Sequence, residues 1–79
     1  MYFILSLRAV VAAAEIFKPY LVRVDVAALN VRKGPGIHYL IEARIEDRGT
    51  YTIVEESSNG WGKLKSGLGW INLKYTTRI

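Results

Sequence analysis

The stretch "LNVRKGPG", residues 29–36, decides the predicted fold, because a strand and a tight turn adjoin within it. Two apolar residues, Leu29 and Val31, alternate with two polar ones, and alternation of this kind is typical of a half-buried strand. The "GPG" that follows is a turn sequence. We therefore predict that the two apolar side chains point into a core and that Asn30 and Arg32 point outward.

The bulk composition limits the domain count and the class of partner. A chain of 79 residues forms one domain at most, and it has no Cys for disulfides or for a Cys-based zinc site. A net charge of +4 and a pI near 9.6 favour anionic partners such as nucleic acid, an acidic polymer or a membrane surface. The charge does not choose among them.

The first 18 residues differ in composition from the rest, since they are apolar, rich in Ala and free of Gly. Their spacing predicts an amphipathic α-helix that ends before Pro19. We divide the chain into this helix segment, residues 1–19, and a β domain, residues 20–79. The apolar stripe of the helix, which we expect to pack on the domain, on a second copy or on a partner, consists of Phe3, Leu7, Val10, Ala14 and Phe17.

Two other interpretations of the N-terminal segment rank below the packed helix. Ala12 and Ala14 fit a signal-peptide cleavage site, but no basic region precedes the apolar run and Arg8 interrupts it. A transmembrane helix is not expected, because the segment is short and carries Arg8 and Glu15.

From Tyr20 onward, short runs of β-branched and apolar residues are separated by turn signals. The runs are "YLVRVDVA", "ALNVR", "IHYLIEARI", "YTIVEESS", "WGKLKS" and "WINL", and Asn59-Gly60 is a strong hairpin signal. Five or six strands at this spacing predict a small all-β barrel. The inward positions are expected to be Val22, Val24, Val26, Leu29, Val31, Ile53, Leu64, Ile71 and Leu73.

Strand alternation also suggests where the two tryptophans lie. Trp61 shares its side of the strand with Lys63, opposite to Leu64, so it is expected to face outward and be available to a ligand. A ring that covers one end of the barrel is an equally good interpretation of Trp61, and the better one for Trp70.

These residues resemble the bacterial SH3-like (SH3b) family. The family pattern appears here, in order, as "LNVRKGPG", Tyr39, Gly49 before "YTIVEE", "NGWGKL", "GLGWINL" and Tyr75. The match covers residues 20–79 and is most similar to SH3b modules at the C-terminal ends of clostridial and phage cell-wall amidases and endolysins.

The resemblance implies a small SH3-like β-barrel without catalytic activity that binds peptidoglycan, often its peptide. Such a module is extracellular, associated with the cell wall, and holds a hydrolase there. In related modules a Trp that opens a strand and a Tyr after the last strand line the ligand groove, and flat rings give apolar contact at low entropic cost. The ligand contacts implied here are Trp61, Tyr75, Tyr39, Asn30, Arg32 and Asn72.

No residue pattern indicates an enzyme or a cofactor. His38 is the only His, and no spacing fixes a metal site around it. The serines lie outside any nucleophile motif, and the Gly-x-Gly pairs lack the context of a nucleotide loop. Nucleic-acid binding is not expected, because the charge excess is modest and no dense Lys/Arg run occurs.

The alternative function is that of an engineered or chimeric SH3b scaffold. In that case the helix over residues 3–17 drives homo-oligomerisation or binds a partner, together with neighbours such as His38, Leu40 and Ile41. A discrete oligomer that dissociates on Phe3→Asp would favour this alternative over cell-wall binding.

Overall fold

The computed structural model describes residues 17–79, which form one antiparallel sheet of seven strands. The mainly β class is therefore confirmed, with one strand more than the five or six predicted. The predicted helix over residues 3–17 lies outside the described residues except for Phe17, which belongs to no helix or strand. The strands are β1 (Tyr20–Val24), β2 (Leu29–Arg32), β3 (Ile41–Ile45), β4 (Thr50–Glu56), β5 (Trp61–Leu64), β6 (Trp70–Asn72) and β7 (Thr76–Arg78).

The strands follow the order β3-β2-β6-β5-β4-β1-β7, with β3 and β7 at the two ends. Ile45 on β3 nevertheless shares one core cluster with Val22 and Val24 on β1, so the sheet curls around a common interior. The strand that sequence reasoning missed is β7, a segment of three residues that pairs with β1 after a short 3₁₀ helix, Leu73–Tyr75.

The core consists mainly of apolar residues that alternation placed inward, and Ile45 on β3 joins them without having been predicted. Ile53, Val31 and Ile71 are completely buried, and each lies on a different strand. Val26 and Leu73, also predicted inward, are partly buried and pack against the cluster. The predicted strand faces were confirmed for these residues. When one face of a strand is buried, a shift of one residue would move its apolar side chains to the solvent side, so alternation is a good guide to the core.

The run predicted to be extended from Ile37 becomes a strand only at Ile41. Residues 33–40 instead form an irregular segment after β2, here called the 33–40 loop. A register shift follows, because β3 pairs Ala43 with Val31 but Ile41 with Arg32. The extra β3 residue turns Ile41 to the side of Arg32, and Ile41 is exposed.

The turn before β6 brings two backbones unusually close together. Gly69 has φ +149°, and a Cβ placed there would lie 2.4 Å from the carbonyl oxygen of Arg32 on β2. Its own carbonyl accepts a hydrogen bond of 2.9 Å from the backbone N–H of Leu64. Gly69 is therefore the residue that lets β6 lie beside β2.

Replacement of Gly69 by Ala is expected to destabilise the fold by at least about 2 kcal/mol, because it adds steric conflict with backbone to an unfavourable φ. Gly67→Ala is the matched control: its φ is +82°, but no atom lies within 4 Å of the added Cβ. The control should lose only about 1 kcal/mol from the backbone conformation. Urea unfolding followed by circular dichroism measures both losses, and equal losses would contradict the close contact.

The turn before β4 is held by a carboxylate. Asp47 Oδ1 accepts hydrogen bonds from the Gly49 backbone N–H at 2.9 Å and from the Tyr51 hydroxyl at 2.9 Å. These bonds, the one from Gly49 first, lower the pKa of Asp47 below its ordinary value of 3.8. Ionised Asp47 therefore favours the folded state.

The stabilisation from Asp47 should be fully present above its ordinary pKa of 3.8 and disappear as the pH falls through the lowered folded-state pKa. We expect that acidification from about pH 7 to about pH 3 lowers the urea midpoint less for Asp47→Asn than for the wild type. If both proteins lose the same stability on acidification, the acid sensitivity belongs to other carboxylates. Asp25 is one candidate, because its pKa is lowered, mainly by the hydrogen bond from the Thr77 hydroxyl.

Candidate functional site

A groove of about 400 Å³ opens where β2, β5 and the 3₁₀ helix meet the 33–40 loop. Five of the six residues that the sequence predicts as ligand contacts line it, and Tyr39 is the exception. The lining residues are Val26, Ala28, Leu29, Asn30, Arg32, Ile37, Trp61, Asn72 and Tyr75.

Trp61 forms part of the groove wall, but it is not the exposed ring that alternation predicted. Only 6% of the residue is exposed. It lies outside the main core cluster, and it faces the same groove as Ile37 and Tyr75. The prediction of an outward, exposed Trp61 was wrong because alternation gives the side of the strand and not whether other segments cover that side.

The backbone around Trp61 is held by the hairpin that precedes it. The N–H of Trp61 donates to Ser57 Oγ at 3.1 Å, and its carbonyl accepts from the Ser57 N–H at 2.9 Å. Gly60 takes φ +87° in this turn, as the predicted Asn-Gly hairpin requires. A short hairpin of fixed geometry therefore positions the indole.

The β2 side of the groove carries Asn30 and Arg32, on the face opposite to the core residue Val31. The Arg32 guanidinium is half-buried and donates from Nη1 to the carbonyl oxygen of Tyr39 at 3.1 Å. This bond ties the end of β2 to the 33–40 loop. It also holds the charge of Arg32 at the groove.

The opposite side of the groove comes from Asn72 and Tyr75, at the two ends of the 3₁₀ segment. Asn72 Oδ1 accepts a hydrogen bond of 3.1 Å from the Lys74 N–H and so caps the helix. The Tyr75 carbonyl accepts from the Asp25 N–H at 3.0 Å, which fixes the helix to the end of β1. The Tyr75 ring is 39% exposed, and Lys74 Nζ lies 5.4 Å from its centroid.

Tyr39 is not among the lining residues of the groove, and its ring packs within the 33–40 loop. A Cβ on Gly34 would lie 2.4 Å from the Tyr39 ring, so the ring packs directly on the turn backbone. A hydrogen bond also holds this loop, since Asn59 Nδ2 donates to the Pro35 carbonyl at 3.0 Å. Glycine at position 34 is therefore explained by the aromatic ring, which occupies the place where a Cβ would lie.

Sequence reasoning missed Ile37 as a groove residue. It follows the "GPG" turn directly, is 71% exposed, and lines the groove from the loop side. Val26 and Ala28 were also missed, because they lie in the connection between β1 and β2. The sequence signal that could have identified Ile37 was its place directly after a predicted turn. An apolar side chain at such a position is not expected to be buried in the core.

Among residues 17–79, Arg32 is the only charged residue that lines the groove. Ion pairs in the described part of the chain join Arg23 to Asp25, Lys33 to Glu42 and Arg44 to Glu46, and none includes Arg32. The groove therefore combines an unpaired cation with aromatic and aliphatic surface.

In comparisons with protein-family models, curated proteins and solved structures, the chain matched none. Within residues 17–79, no group of three His, Cys, Asp or Glu residues is arranged to hold a metal ion. The same residues include no helix of the length and apolarity needed to cross a membrane.

Truncation of the buried Trp61 should strongly destabilise the protein. We expect Trp61→Ala to cost about 3–5 kcal/mol, as for other large buried aromatic residues. The matched control is Leu68→Ala, which removes a large apolar side chain that is 46% exposed. Urea unfolding by far-ultraviolet circular dichroism reports both variants, and a loss under about 1 kcal/mol for Trp61→Ala would contradict its burial.

Proposed function

We propose that residues 20–79 are a non-catalytic SH3b module that binds the peptide part of bacterial peptidoglycan and holds a hydrolase on the cell wall. The proposal includes an SH3-like barrel for the curled sheet and an extracellular, wall-associated location. The observation that supports it best is the convergence of Trp61, Tyr75, Asn72, Asn30 and Arg32 on one groove. These residues come from separate parts of the sequence and were selected from the sequence, by strand alternation and by the family resemblance.

The chemistry of the groove suits an extended peptide. Rings of Trp61 and Tyr75 and the side chain of Ile37 offer apolar contact, while Asn30 and Asn72 offer hydrogen bonds to peptide groups. Only part of this surface is deeply buried, so a ligand can enter without opening the core. The net charge of +4 also favours approach to walls that carry anionic polymers.

The alternative, an engineered or chimeric scaffold that self-associates through the helix over residues 3–17, has no support from described contacts. Of its helix residues only Phe17 is described, 38% exposed with its ring centroid 6.4 Å from that of Tyr20, while the proposed neighbours Leu40 and Ile41 are exposed. We therefore keep wall binding as the proposed function, and the mass of the chain in solution tests the alternative.

The test of the proposal is co-sedimentation of the full chain with purified Gram-positive cell walls at low and high salt. We expect the wild type to sediment at both, because groove contacts depend less on salt than phosphate contacts do. Tyr75→Ala should weaken binding about tenfold, since it removes an aromatic contact of roughly 1–2 kcal/mol.

Leu68→Ala serves as the control for Tyr75→Ala, because both side chains are similarly exposed and only Tyr75 lines the groove. Thermal unfolding of both variants verifies that the fold is retained. The proposed function would be refuted if the wild type bound cell walls at neither salt concentration.

A further inference from the structure

Trp61 and Asn72, which line the groove, both carry N–H donors. One lone pair of Asn72 Oδ1 is used, since this atom caps the 3₁₀ helix at 3.1 Å from the Lys74 N–H. The remaining Nδ2 group only donates. No described residue accepts a hydrogen bond from the Trp61 indole N–H or from the Asn72 Nδ2.

Arg32 adds a positive charge to these donors. Its guanidinium carries five N–H groups, and Nη1 is the nitrogen that binds the Tyr39 carbonyl. The fixed nitrogen orients the planar group, while its charge has no carboxylate partner among residues 17–79. An oriented guanidinium of this kind is suited to bidentate binding of a carboxylate.

We propose that the groove binds a carboxylate group of the peptide, with the Arg32 guanidinium as its direct contact and Asn72 Nδ2 as a second donor. This inference rests on the proposed function, since it specifies which group of a wall peptide the site recognises. The apolar side of the peptide then packs on Trp61, Tyr75 and Ile37, which line the same groove.

A single-stranded nucleic acid fits the groove less well than a carboxylate peptide. Binding of a phosphate backbone needs several cations along a track, and Arg32 is the only charged residue that the described part of the chain contributes to the lining. The neighbouring Lys33 is paired with Glu42 at 3.8 Å and lies outside the groove. One cation beside aromatic surface therefore matches one carboxylate on a short peptide.

The experiment compares two forms of one peptide, acetyl-Lys-D-Ala-D-Ala as the free acid and as its C-terminal amide, by calorimetric titration into the full chain. We expect the acid to bind at least about tenfold more tightly, because a hydrogen bond to a charged group contributes more than one to a neutral group. This comparison uses the wild type, so it does not depend on how well any variant folds. A short oligothymidylate is titrated in parallel.

The variant Arg32→Gln should abolish the preference for the acid, leaving acid and amide within about twofold of each other. Lys33→Gln is the matched control, because it makes the same change in charge one residue away and outside the groove. It should retain the preference.

The outcomes separate this inference from the proposed function. If walls sediment the protein but acid and amide bind equally, or if Lys33→Gln and Arg32→Gln lose the preference equally, the carboxylate contact is refuted and wall binding stands. If neither walls nor the acid peptide bind, both are refuted. Tighter binding of the oligothymidylate than of the acid peptide would also overturn the inference.

Discussion

The contact between Gly69 and the carbonyl oxygen of Arg32 is the constraint on which the groove depends. β2 and β6 share one pair in the sheet register, Arg32 with Trp70, and the glycine beside it allows the two backbones to meet. This pairing of β2 with β6 brings Arg32 to the same groove as Asn72 and Tyr75. Without it, the two sides of the groove would belong to separate hairpins.

The 33–40 loop forms the third wall of the groove and is held by three interactions, one packing contact and two hydrogen bonds. The Tyr39 ring packs on Gly34, the Arg32 guanidinium binds the Tyr39 carbonyl, and Asn59 binds the Pro35 carbonyl. A loop restrained in this way loses less conformational entropy when a ligand binds. The resemblance placed Tyr39 among the ligand contacts, whereas its position in the structure is that of a support for the loop.

The two tryptophans illustrate the limit of strand alternation as a guide to exposure. Alternation identifies which side chains share a side of the strand, and that information is local. Whether the side is covered depends on distant segments, and Trp61 is only 6% exposed although it lies on the same side of its strand as Lys63. Trp70 was expected to cover an end of the structure and is half-buried.

The sequence by itself determined the β class, the core positions on β1, β2, β4, β5 and β6, and the turns at "GPG" and Asn59-Gly60, because alternation and turn chemistry depend on near neighbours. Only the tertiary structure decided the seventh strand, the irregular 33–40 loop, the burial of Trp61 and the addition of Ile37 to the groove. Each of these depends on contacts between residues far apart in the chain, such as Gly69 with Arg32 and Asn59 with Pro35. Local patterns do not record such contacts, since their free energy appears only when the strands pack together.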